Sequence, residues 1–113
     1  MRFKIVLINF PFDDFSGSKL RPALCLTSPI SKHHHVILAP ISSNLNNATE
    51  TTDILVEKKQ NDFEKTGLKV SSVVKIHKLI TIPDKIIQKT IGFLPESLHK
   101  EVDGKLKLLF NIT

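Results

Sequence analysis

The apolar positions of the chain fall first into short runs and only at the end into a helical stripe. Lys4 to Phe10, Pro22 to Thr27 and His35 to Ile41 are compact apolar segments of strand length, each bounded by Pro, Gly, Ser or Asn. Thr51 to Glu57, carrying Ile54, Leu55 and Val56, and the longer β-branched stretch Val70 to Ile82 continue the pattern. Runs spaced this closely, with turn formers in every connection, predict a strongly bent antiparallel sheet or small barrel rather than a parallel sheet. Near the end, Leu98, Val102, Leu106, Leu109 and Phe110 recur at helical spacing, while Lys100, Glu101, Asp103 and Lys107 occupy other faces. That spacing predicts an amphipathic helix of about three to four turns, with Pro95 suited to its first turn and Glu96 to the positive end of its dipole. Pro83-Asp84 is expected to start a shorter helical turn that ends before Gly92. The fold class is therefore mainly β (α+β).

Length and composition narrow this picture. The 113 residues, 41% apolar and 24% charged, fit one domain with a modest core and are too apolar for a disordered tail. No repeat or linker divides them, so 1–113 is expected to fold as one unit. The apolar runs are far shorter than the roughly 20 residues of a membrane helix, and Met1 to Ile8 reads as a first strand rather than a secretory leader. The single Cys25, inside Ala23-Leu24-Cys25-Leu26, is expected to be a buried thiol in a reducing cytoplasm.

Charge points to a polyanion without choosing one. Sixteen Lys and Arg against eleven Asp and Glu give a formal +5. Between Lys69 and Lys89 stand five lysines against one acid, Asp84. Trp and Tyr are absent, so any base stacking must come from Phe, His or Arg. The run His33-His34-His35 and the pair Asp13-Asp14 read as turn chemistry, and neither metal nor cofactor is expected. His99, within the terminal helix pattern, is expected at the surface.

Two segments carry more chemistry than a strand or turn needs. In the first, Phe10 to Leu24, a strand ends in a Gly/Ser loop that gathers backbone N–H groups, hydroxyls, Lys19 and Arg21 before a strand restarts at Pro22, a set suited to a phosphate. In the second, Ile37 to Asn44, an apolar strand runs straight into Ser42, Ser43 and Asn44.

Together and in this order, the two segments resemble the MazF/PemK family of toxin endoribonucleases from type II toxin–antitoxin systems. The likeness extends through Lys4 to Phe12, Ser16 to Ala23, Leu38 to Asn44, Thr66 to Lys75, Leu79 to Ile82, Ile91 to Leu94 and the terminal helix, so it covers nearly the whole chain in collinear order. The resemblance implies a small SH3-like antiparallel β-barrel with a C-terminal helix. It also implies a cytoplasmic homodimer that cleaves single-stranded mRNA by metal-independent transesterification. Its implied partners are an acidic antitoxin, whose disordered tail covers the same basic groove, and operator DNA reached through the antitoxin complex.

By the same resemblance Arg21 matches the family's phosphate-stabilising arginine, and Ser42 matches the hydroxyl residue, often Thr, at the end of the third strand. Family members place an Arg and an Asp on the strand that here reads Lys75-Ile76-His77. Period-two spacing puts Lys75 and His77 on one face, with His77 as candidate base and Lys75 as candidate phosphate ligand. Phe12, Ser18, Lys19, Ser43 and Asn44 complete the expected RNA groove. Ile80 stands where family members carry another arginine, so the RNA sequence preference does not transfer. The alternatives are a non-catalytic toxin of the same fold acting on DNA gyrase, like CcdB-type toxins, and a decayed toxin that only binds its antitoxin.

Overall fold

The computed structural model of the protein describes residues 1–9 and 20–113. Among these residues seven strands precede one α-helix: β1 (Lys4–Ile8), β2 (Arg21–Cys25), β3 (His35–Ser42), β4 (Asp53–Val56), β5 (Ser72–Lys75), β6 (Ile80–Pro83), β7 (Lys89–Phe93) and α1 (His99–Phe110). All pairings among these strands are antiparallel. The ladder runs β4-β5-β3-β2-β1-β7, with β6 pairing β3 off this path. Its ends, β4 and β7, do not pair with each other, so the expected barrel is an open, bent sheet.

The bend is organised around β3. Its first half, His35 to Leu38, pairs with β6, and its last two residues, Ile41 and Ser42, pair with β5. One edge of one strand thus serves two partners. On the other edge Ala23, Leu24 and Cys25 of β2 lie opposite Pro40, Ala39 and Leu38.

Side-chain alternation distributes the apolar runs between two cores. Ile5, Leu24, Ala39, Ile41, Val74 and Ile76 enter one cluster, which Leu94, Leu98 and Val102 close from the helical side. Val6, Ile8, Ala23, Cys25, Val36 and Leu38 enter the other. Both faces of the central strands are buried, which is why they read as continuous apolar runs rather than as alternating ones. Cys25 is fully buried and is a free thiol, and burial pushes its pKa up to about 11.

Several expected boundaries move. β1 ends at Ile8, and Phe10 lies outside the described residues. The stretch Val70 to Ile82 is two strands, not one, because Lys78 N–H donates to Lys75 C=O at 3.0 Å and closes a turn between them. The helical turn after Pro83 spans only Asp84–Ile86 and gives way to β7, a strand absent from the sequence-based expectation. Leu98 and Val102 of the terminal stripe are buried and Leu106 and Leu109 half-buried, whereas Phe110 is 57% exposed. His99, expected at the surface, is half-buried: its ring stacks on Phe3 at 3.7 Å and its Nε2 lies 2.8 Å from Leu94 O.

Candidate active-site cleft

The ends of β2, β3 and β5 meet around an open cleft of about 730 Å³. Arg21, the first residue of β2, sits opposite Ile8 and half-buried on its wall. Ser42, the last residue of β3, faces Val73 across the ladder. Its Oγ accepts hydrogen bonds from Asn44 N–H at 3.1 Å and Asn47 Nδ2 at 2.8 Å. With the oxygen so held, its own O–H proton is left to donate. Asn44 caps the 3-10 turn Leu45–Asn47 by accepting from Asn46 N–H, which sets the chain's direction out of the strand.

Lys75, at the end of β5, also lines the cleft, but its ammonium is held from below. It donates to Asn47 C=O and, at 2.8 Å, to Asp53 Oδ2, with only 7% and 5% of the two side chains exposed. Asp53 is its partner in register on β4. Burial raises the Asp53 pKa, but the Lys75 ammonium and the Glu50 and Thr49 amides outweigh it and hold the carboxyl below its usual range.

Arg21, Ser42, Ser43, Asn44 and Lys75 all line this cleft. Phe12, Ser18 and Lys19 lie outside the described residues. His77 does not line the cleft; it stands in the turn after β5, its side chain 34% exposed, with Nδ1 4.0 Å from Asp53 Oδ1. The strand has ended at Lys75, yet Lys75 and His77 still converge on one carboxylate.

Lys69 and Lys78 also line the cleft, and no described lining residue is acidic. Their signal was the excess of lysine over acid in that part of the chain. A second cleft, of about 660 Å³, shares Pro22, Leu68 and Lys69 with the first and adds Lys89. Among the described residues no group of three or more His, Cys, Asp or Glu is placed to hold a metal ion. His34 Nδ1 lies 3.8 Å from Asp84 Oδ2, at the opposite end of β3 from Ser42.

A sequence model of the PemK-like, MazF-like toxins of type II toxin–antitoxin systems matches residues 1–110. The chain belongs to this toxin family. Solved structures share the fold of this MazF-like toxin. The Mycobacterium tuberculosis toxin MazF-mt6 is 24% identical, with a TM-score of 0.71 over 97% of this chain and 98% of that one. An endoribonuclease in complex with its cognate antitoxin, from a mycobacterial species, has a TM-score of 0.73 at 10% identity, covering 100% and 96%. A further M. tuberculosis toxin reaches 0.63 at 24% identity over 95% and 99%. No curated protein matches the sequence. Among the described residues no helix is long and apolar enough to cross a membrane.

Proposed function

We propose that this MazF-like toxin is an endoribonuclease that cleaves single-stranded mRNA by transesterification. The observation that carries the reading is that Arg21 and Ser42, from segments far apart in the chain, line one cleft with Lys69 and Lys78 and with no described acidic neighbour on its wall. In the reaction the ribose 2′-oxygen loses its proton and attacks phosphorus, the 5′-oxygen leaves and takes a proton from water, and the products are a cyclic phosphate and a free hydroxyl end. Arg21 stabilises the added negative charge on phosphorus with its fixed fork of donors. Ser42 donates its remaining proton to a non-bridging oxygen. His77, outside the cleft lining but in the turn between its lining residues Lys75 and Lys78, reaches in from the rim to take the 2′-hydroxyl proton.

Ser43, Asn44, Lys69 and Lys78 hold the strand on either side. The cognate antitoxin bound to a structural relative supports an antitoxin as partner; that the antitoxin is acidic and brings the complex to operator DNA is part of the proposal. Exposed Leu108, Phe110 and Ile112 at the end of the chain support a homodimer.

The experiment is cleavage of a mixed-sequence single-stranded RNA in EDTA by the purified protein, whose sedimenting mass checks the dimer against 12.7 kDa per chain. Cleavage in EDTA that Arg21→Ala lowers by about 100-fold or more, with the thermal transition unmoved, is the expected result. Loss of cleavage in EDTA excludes the metal-independent mechanism, and a fully active Arg21→Ala removes the central assignment. Intact RNA with inhibited gyrase favours the non-catalytic alternative.

A further inference from the structure

The Asp53 carboxylate is satisfied on one side only. Its Oδ2 accepts from Lys75 Nζ at 2.8 Å and from the Thr49 and Glu50 amides at 2.9 Å each. Its Oδ1 is buried and accepts from no partner. A carboxylate oxygen shut away from water without a donor is costly, and folds rarely leave one unless something reaches it. The basic group facing it is His77, whose Nδ1 stands 4.0 Å away, about 1 Å beyond hydrogen-bond contact.

The two partners differ in freedom to move. Asp53 is fixed by three donors to Oδ2 and by its place in the β4–β5 ladder opposite Lys75. His77 sits in the turn beyond the strand with a third of its side chain exposed, so ring rotation can close the gap.

We propose that Asp53 is a positioning residue for His77: its Oδ1 accepts the Nδ1–H proton and holds the imidazole in the tautomer whose Nε2 is bare. A bare Nε2 directed outward is what a base for the 2′-hydroxyl requires, and an imidazole protonated at Nε2 cannot serve. The proposal rests on His77 as the base and adds the residue that orients it. It also gives the buried Lys75–Asp53 pair a task beyond folding, since Lys75 and the two amides keep Oδ2 occupied and leave Oδ1 as the acceptor.

Ring-nitrogen NMR of His77 in the intact protein at pH 8.5, where an ordinary imidazole is neutral, reads the tautomer directly. The expected major form carries its proton on Nδ1, and a major Nε2–H form overturns the proposal. A kinetic cycle supplies the second readout. Asp53→Asn is expected to lower kcat on single-stranded RNA about 10-fold or more in the native background and less than about 2-fold in His77→Ala. An equal loss in both backgrounds shows that Asp53 acts through Lys75 and the fold alone, and overturns the proposal. If Asp53→Asn fails to fold, the tautomer of the native protein decides. If the native protein cleaves no RNA, the endoribonuclease reading falls while the NMR measurement still tests the pairing.

Discussion

Lys75 loses its water on folding and is held by two partners, Asn47 C=O and Asp53 Oδ2. Removing such a cation leaves an ionised carboxylate buried without its counter-charge, which costs about 3–5 kcal/mol. Lys75→Met is therefore expected to lower the unfolding free energy read from a urea titration by that much, far more than Lys78→Met on the exposed wall. Because the Asp53 pKa lies below its unfolded value, the folded state binds fewer protons than the unfolded state between the two. The stability Asp53 contributes is thus fully present above about pH 4 and lost as pH falls through the native value. Asp53→Asn should flatten this acid limb, and an unchanged limb would show that Asp53 does not carry it. Arg21, Ser42, Ser43 and Asn44 were legible in the sequence because each stands where an apolar run meets polar residues. Asp53 and Asn47 were not, because they meet Lys75 only through strand register and a tertiary turn, 22 and 28 residues away.

Among the elements, strands with both faces buried announced themselves as apolar runs, whereas β7 did not. Its five residues, Lys89 to Phe93, are exposed or half-buried without alternation, so no period-two signal exists to read. The turn at Ile76-His77-Lys78 was hidden for the opposite reason, lying inside a β-branched run with neither Gly nor Pro to mark it. What places β7 is a close approach of backbones. A Cβ built on Gly92 would lie 2.3 Å from Lys65 O and 2.5 Å from Thr66 O, and one on Gly67, at φ +73°, would lie 2.2 Å from Ile91 O. The 3-10 turn Phe63–Thr66, ending at Gly67, therefore packs backbone to backbone against β7. Gly92→Ala forces these chains apart, at a cost of about 2–3 kcal/mol. In a domain of this size that lowers Tm by roughly 10 °C or more, and calorimetry that finds no shift would refute the close approach.

For the molecule as a whole, the formal +5 acquires a direction only once the chain is folded. Arg21, Lys69, Lys75 and Lys78 reach one cleft although they come from separate segments, and Lys89 borders the adjoining one. Of the four, Lys75 is neutralised by Asp53, whereas Lys69 and Lys78 stand on the wall as cations that can displace counterions from a bound strand. For single-stranded nucleic acid each phosphate neutralised contributes about −0.7 to the slope of log K against log salt, so the two lysine contacts contribute about −1.4. Between 50 and 200 mM salt, these two contacts should lower affinity for a non-cleavable 2′-deoxy strand about 7-fold. Lys69→Ala and Lys78→Ala should each reduce the slope by about 0.7, because each removes one contact. Lys85→Ala, on the short helical turn before β7 and outside both clefts, should leave it unchanged. If Lys85→Ala lowers the slope as much as the cleft variants do, the binding is a response to net charge alone and the cleft does not hold the strand.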